Sequence, residues 1–397
     1  MSAPPWRVAL SLQAALSQAS WVGVRIMMGY RALELGGGAL LLAIVAASFA
    51  VPTIAAALPA GRLSDRVGGS VIAFTGLVIA CIGAAIAVFV PQSIPQLIVT
   101  TLIIGFGHLF VTVGQQTFVA HASRTGSADS GFGTLTAAAS LGQLIGPPAV
   151  TLAMTLASST PHRISIGISV CLAFTALALP LVLLLRSSDV GRKSVRRNGS
   201  RRTPLADVMR APELWRALTA SGAVLVTVDL LYTFVPLWAV SRDITPLTVG
   251  LLLALRAAVS VLSRLGLGRL VDRFGRRTLL LSAMGIGAIG LIALPFADQW
   301  TAIPVMIAMG IGLGLPQPLT MAWTIAITPA GAHGAALGLR LTANRAAQVA
   351  IPLLVGLIAA PIGLVGIFWA NAAVLAGGVL IVATSHTSGT TGGDEAP

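Results

Sequence analysis

"GRLSDRVGG" at residues 61–69 and "GRLVDRFGRR" at 268–277 are nearly the same phrase, written twice in one chain of 397 residues. Gly61, Leu63, Asp65, Arg66 and Gly68 recur as Gly268, Leu270, Asp272, Arg273 and Gly275, each 207 residues further on. Each copy follows a long apolar run, in a chain that is 56% hydrophobic and only 9% charged. A soluble domain carries roughly a quarter charged residues, so this chain cannot coat itself with a water-facing surface. The charged phrases therefore mark places where the chain leaves an apolar medium.

Working outward from them, apolar runs fall near 8–30, 38–60, 70–90, 95–119, 131–157, 164–185, 217–240, 247–267, 278–296, 302–326, 336–359 and 364–384. Runs of about 20 apolar residues cross a bilayer as helices, and these are too long and continuous for the alternating strands of a membrane barrel. The expected fold is an all-α polytopic membrane protein. Its twelve helices form two pseudo-symmetric six-helix bundles, 1–186 and 213–397, joined by a basic linker at 187–212 and followed by a short polar tail. The repeat extends past the phrase. "GTLTAAASLGQLIGP" at 133–147 aligns with "GLRLTANRAAQVAIP" at 338–352 at an offset of 205, pairing Gly133 with Gly338, Gln143 with Gln348 and Pro147 with Pro352. Gly105 and Gly107 match Gly310 and Gly312 at the same offset. Two halves in one orientation are a parallel internal repeat.

A formal net charge of +13 suggests nucleic acid until its distribution is read. Nine basic residues lie between Arg186 and Arg216, and most others occupy short gaps between apolar runs without aromatic interleaving. Only Arg31, Arg163 and Arg242 fall in the opposite loops. This asymmetry places both termini and the charged phrases on the cytoplasmic side of the cell's inner (plasma) membrane. The expected partners are the lipid bilayer, protons and a small-molecule substrate, with no nucleic acid, and a monomer suffices. Cys81 and Cys171 sit within apolar runs without ligand spacing, so neither metal nor cofactor is expected. The five histidines are scattered over separate segments, which argues against an enzyme with a catalytic cluster. The first apolar segment is too long for the core of a cleavable leader, and none is expected.

With twelve segments and the phrase twice in register, the chain resembles the major facilitator superfamily over essentially its full length. The loop between helices 2 and 3 of that family reads G-x-L-x-D-R-x-G-R/K. Gly61, Leu63, Asp65, Arg66 and Gly68 match, Gly69 replaces the usual basic residue, and the second copy keeps it as Arg276. The resemblance implies alternating access, with Gly61, Asp65, Arg66, Gly68, Asp272 and Arg273 in gating. Asp65 would face the N-terminal end of helix 11 near Ala335–Gly338, where unpaired amides favour a negative charge. Arg340 belongs to the same gate. "GQLIGPP", with Gly142, Gly146 and Pro147, resembles the G-x-x-x-G-P core of the superfamily's proton-driven antiporters. Together with Pro352 these residues mark points of close helix approach or bending. Two features depart from that pattern: Pro148, Ala149 and Val150 replace the following glycines, and Thr101 stands where a helix-4 arginine is usual.

Of the twelve acids, Asp229 alone lies in the middle of an apolar segment. A charged group there costs roughly 2.5–3.5 kcal/mol on insertion scales, so it has a task. Either it titrates and couples transport to protons, or it forms a structural pair with a buried arginine. His108, in a patch with Thr112, Gln115 and Gln116, is a second candidate for proton relay. Arg25, Arg256 and Arg345 lie deep, whereas Arg264 stands near a helix end and is expected to snorkel. Three deep cations against one carboxylate favour an anionic group on the substrate.

Helical spacing groups Gln18, Trp21 and Arg25; Arg256, Ser260 and Ser263; and Arg340, Asn344 and Gln348. Gln143, Tyr232 and Trp323 complete the expected cavity, with Trp238 as an anchor at the membrane interface. The function these readings give is proton-coupled export of small amphipathic molecules. The alternative is a proton symporter importing an organic anion.

Overall fold

A computed structural model describes residues 5–89, 93–122, 128–159, 162–186, 209, 213–328, 333–359 and 361–384. The first half is built from α1 (Pro5–Glu34), α2 (Ala39–Ser48), α3 (Val51–Val67), α4 (Gly69–Phe89), α5 (Ile94–Ala122), α6 (Ala128–Leu156) and α7 (Arg163–Leu185). The second half follows as α8 (Leu214–Val240), α9 (Pro246–Ser263), α10 (Leu267–Phe274), α11 (Arg276–Ala293), α12 (Ala302–Gly314), α13 (Pro316–Ala326), α14 (His333–Ala359) and α15 (Leu364–Ala383). Among the described residues, ten helical stretches are long and apolar enough to cross a membrane. Each of the twelve expected segments carries helix. The chain is an all-helical polytopic membrane protein. The linker at 187–212 lies outside the described residues, apart from residue 209.

Two spans are interrupted. The second is α2 plus α3, broken at Phe49–Ala50, where Pro52 has no N–H for the Ser48 carbonyl. The Ser48 hydroxyl turns instead to the Val45 carbonyl (2.8 Å) and to Thr101 Oγ1 (2.5 Å). The tenth is α12 plus α13, broken at Leu315 just before Pro316. The expected bends at Pro147 and Pro352 are not breaks, since α6 and α14 remain helical through both prolines. Packing accounts for this in α6. A Cβ on Gly142 would lie 2.3 Å from the Ala15 carbonyl oxygen, and one on Gly146 would lie 2.5 Å from that of Ala19. The glycines thus let α6 lie against α1 along its length.

The sequence repeat is also a packing repeat. Gly105 rests on the Phe49 carbonyl, with a Cβ position 2.3 Å away, and Gly310 rests on the Arg256 carbonyl at 2.8 Å. Gly107 faces α4 at Ala80, and Gly312 faces α11 at Gly287. Ala15 against Gly142 recurs as Gly222 against Ala347, with the small residue moved to the other helix.

The charged phrases depart from the expected loops. The first is helical to Val67 as the end of α3, and the second forms the separate helix α10 after left-handed Gly266 (φ 78°). Both end on the same backbone: Gly68 has φ 103° and ψ 148°, and Gly275 has φ 77° and ψ 149°. Side chains are essentially excluded from that region, so each turn requires glycine. Arg66, Asp272 and Arg273 are exposed. The Asp65 side chain, and those at 335, 337 and 338, lie outside the described residues, and so does the expected Asp65 contact.

Candidate functional site

A cavity of about 320 Å³ lies between the halves. From the first half, α1 contributes Gln18 and Trp21, α5 contributes His108, Thr112, Gln115 and Gln116, and α6 contributes Gln143. From the second, α8 contributes Asp229 and Tyr232, α9 contributes Arg256 and Ser260 with Arg264 at its C-cap, and α14 contributes Arg340, Asn344, Arg345 and Gln348. The cavity runs past Ala14, Leu135 and Gln317 towards the end of the molecule that carries the charged phrases.

The other end is sealed by small residues. Gly29 of α1 meets the Thr233 carbonyl of α8, with a Cβ position 2.9 Å from the oxygen. On one flank Gly250 of α9 meets Thr151 and Pro147 of α6, and on the other Gly356 of α14 meets Ala43 of α2. These flanking contacts are repeat mates, because Ala43 is equivalent to Gly250 and Thr151 to Gly356.

One turn inside this seal, Arg25 Nη1 stands 3.2 Å from Asp229 Oδ1. Arg25 belongs to the first half and Asp229 to the second, so the ion pair bridges them. Gln348 donates from Nε2 to Asp229 Oδ2, and Arg345 donates from Nη1 to Gln348 Oε1 at 2.8 Å. Both carboxylate oxygens are therefore partnered. Arg25, only 3% exposed, also lies over the rings of Trp21 (5.3 Å) and Phe49 (5.4 Å). Such cation–ring contacts offset part of the desolvation of a buried guanidinium.

Arg256 is set differently. It donates from Nη2 to the Tyr232 hydroxyl at 2.7 Å and lies 5.4 Å above that ring. Among the described residues no carboxylate pairs with it, and its buried Nε has no hydrogen-bond partner. Asn344 Oδ1, also buried, has none either.

Among the described residues, the first-half side chains that line the cavity include no arginine or lysine, Arg25 being set behind them in the ion pair. His108 stacks on Trp21 with ring centres 3.7 Å apart and planes 5° from parallel. Gln115 donates to Gln13 Oε1 (2.7 Å) and Ser17 Oγ (3.2 Å).

The structure therefore brings together Trp21, Arg25, His108, Gln115, Gln143, Asp229, Tyr232, Arg256, Asn344, Arg345 and Gln348. It separates two tryptophans from their expected places. Trp323 is 4% exposed and packs in the apolar core away from the cavity, and Trp238, expected at the membrane interface, is fully buried. Arg264 corrects the reading in the other direction. Instead of snorkelling away, it lines the cavity and donates from Nε to the Gly314 carbonyl at 3.1 Å. Its spacing of eight residues from Arg256 puts both on one helix face. Arg340 also reaches the cavity wall, with Nη2 3.5 Å from Thr320 Oγ1. Phe49, absent from the sequence reading, was detectable as the repeat mate of Arg256.

The sequence profile of the Major Facilitator Superfamily matches residues 10–245 and 230–395. No curated protein matches the chain. Among solved structures, it is similar to the nucleoside transporter NupG (TM-score 0.74, 12% identity, covering 96% of this chain and 98% of that one). It is also similar to a bacterial homolog of the human lysosomal transporter Spinster, solved inward-facing and unoccupied (TM-score 0.73, 13% identity, 96% of each chain). A third is the peptide transporter POT in complex with sulfate (TM-score 0.72, 17% identity, 96% and 94%). Matched by its family's profile along nearly all its length and sharing the fold of these transporters, the chain belongs to the major facilitator superfamily of membrane transporters and is not an enzyme.

Proposed function

We propose that the protein exports a small amphipathic anion in exchange for protons, by alternating access. The observation that carries this reading is the Arg25–Asp229 pair, because it ties the two halves together at the closed end of the cavity. Opening that end draws α1 away from α8 and strands two charges in a desolvated place. Removing one partner of a buried pair costs on the order of 3–5 kcal/mol, which sets an upper scale for separating the two. Two events lower that barrier. A proton removes the charge of Asp229, and an anion in the cavity weakens the attraction between Asp229 and Arg25. With neither bound, the carrier stays shut on that side.

Refusal to switch while empty is the rule an exchanger needs. A symporter must return empty, so the pair works against the import alternative. In this reading the open end faces the cytoplasm at the cell's inner (plasma) membrane, both termini lie on that side, and the protein acts as a monomer. Asp229 is the coupling acid and His108 a proton relay. The gate at the open end belongs to Gly61, Asp65, Arg66, Gly68, Asp272, Arg273 and Arg340.

The test is transport in proteoliposomes. Solutes that shift the unfolding temperature of the purified protein are selected from a chemically mixed library and followed by counterflow at two pH values. Wild type is expected to accumulate a hit when a proton gradient is applied, and Asp229→Asn is expected to lose that accumulation while still exchanging solute for solute. Normal gradient-driven accumulation by Asp229→Asn would overturn the coupling.

A further inference from the structure

The repeat that builds the fold also repeats one contact with its parts exchanged. In the first half the cation is Arg25, on the first span, and a ring over which it lies is Phe49, on the second. The residues 207 positions on are Tyr232 and Arg256, so here the ring stands on the first span and the cation on the second. The two places are equivalent in space as well, since the carbonyls of Phe49 and Arg256 each receive the matching glycine, Gly105 or Gly310.

Their electrostatic settings are not equivalent. Arg25 has Asp229 as counter-ion. Arg256, 2% exposed on the cavity wall, has among the described residues no carboxylate partner and donates from Nη2 to the neutral Tyr232 hydroxyl. A buried cation without a counter-ion is unfavourable unless water or a ligand neutralises it. Among the described residues, the arginines that line this cavity stand on α9, at its C-cap Arg264 and on α14, whereas Gln18, Thr112, Gln116 and Gln143 of the facing wall are uncharged.

We propose that Arg256 is the anion seat of the cavity, taking a carboxylate of the substrate, with the uncharged hydrogen-bonding body of the substrate against the first-half amides. The proposal rests on the exchange reading above and names its substrate class. A carboxylate matches the planar fork of a guanidinium, which presents parallel N–H donors. An anion entering from the open end passes Arg264 and Arg340, then reaches Arg256, the deeper residue on α9. There it lies beside Tyr232, three residues from Asp229 on α8. Seat and ion pair are thus close enough for a bound anion to weaken the pair electrostatically.

The experiment uses the purified full chain in detergent, with benzoate and its neutral isostere benzamide titrated against the thermal unfolding midpoint. Benzoate is expected to raise the midpoint of wild type saturably, and benzamide is not. Arg256→Gln should bind benzoate about tenfold to a hundredfold more weakly, the effect of losing one charge-assisted contact. Arg256→Lys should be intermediate, because it keeps the charge and loses the fork. Asp229→Asn should bind at least as well as wild type.

No benzoate shift in wild type, or equal binding by Arg256→Gln, overturns the seat. If Arg256→Gln does not fold, Arg256→Lys decides, and unchanged binding there overturns it. Benzoate binding through Arg256 without proton-driven transport by wild type would sink the exchange reading and leave the seat standing. Proton-driven transport with undiminished benzoate binding by Arg256→Gln would do the reverse.

Discussion

Gly29 and Pro236 occupy equivalent positions in the two halves, 207 residues apart, and they meet across the boundary. A Cβ on Gly29 would lie 3.5 Å from Pro236 Cγ and 2.9 Å from the Thr233 carbonyl oxygen. The pseudo-two-fold axis of the molecule thus passes through the seal of the cavity, and the seal depends on a missing side chain.

Filling that gap should hold the sealed end apart. Gly29→Val is expected to shift the population towards opening at this end, and Gly250→Val should act alike, because its Cβ would fall 1.9 Å from Thr151 Oγ1. Spin labels at Leu40→Cys and Ser241→Cys would report the change as a longer distance distribution. An unchanged distribution in both variants would show that the seal tolerates the added volume.

The ion pair should be costly to break from one side only. Arg25→Ala leaves Asp229 buried without its cation and is expected to destabilise the protein by about 3–5 kcal/mol. The double variant Arg25→Ala/Asp229→Asn should recover a large part of that loss, because no charge is left unpaired. The comparison is made by denaturation of the four proteins of the cycle in one detergent. Additive losses would mean that the two residues do not act as a pair.

Each charged phrase ends on a glycine that another residue can copy only with strain. Gly68→Ala and Gly275→Ala are each expected to lose about 1–3 kcal/mol, the usual cost of a side chain in that backbone region. Gly61→Ala and Gly268→Ala serve as controls, since both have open space where a Cβ would go. Equal losses at all four positions would remove the backbone explanation.

Asp298 offers a pH test outside the membrane spans. Its carboxylate accepts the backbone N–H groups of Thr301 and Trp300 at 2.8 Å each and the Thr301 hydroxyl at 2.9 Å. The hydrogen bonds from Thr301, followed by that from Trp300, hold this carboxyl below the ordinary aspartate value. A carboxyl depressed in the folded state stabilises above its unfolded pKa, about 3.9, and that contribution is lost as pH falls through the folded value. Asp298→Ala should therefore lower the unfolding midpoint at pH 7, and the gap to wild type should begin to narrow once the pH falls below about 3.9. A gap that stays constant as the pH is lowered from 7 through the unfolded pKa and on into the acid unfolding range would assign the effect to something other than the charge.

Hydropathy alone placed helix in each of the twelve expected segments, ten of which are long and apolar enough to cross a membrane among the described residues, because bilayer thickness sets the length of such a run. The breaks at Ala50 and Leu315 went unread, although Pro52 and Pro316 stood in plain sight. A proline destabilises a helix interior but fits its first turn, and packing decides whether the chain restarts there; α6 keeps Pro147 and Pro148 in its interior, while Pro52 and Pro316 open new helices. Asp229 was recognisable as the acid with a task. Its partner was not, since Arg25 lies 204 residues away and three deep arginines competed for it. Trp323 and Arg264 were misplaced for a shared reason: rotation about a helix axis near its end depends on neighbours that spacing does not reveal.

The exchanged cation–ring contact bears on why the two halves are fused. The counterpart of Asp229 in the first half is Val22, and the counterpart of Arg25 in the second is Tyr232. A homodimer of the first half would bring two arginines to the axis and no acid. One of the second half would bring two acids, with tyrosines where their arginine partners should stand. Neither symmetric ancestor-like assembly contains the ion pair. The bridge exists only where the two unlike halves meet, so fusion in one chain gives every molecule a complete pair.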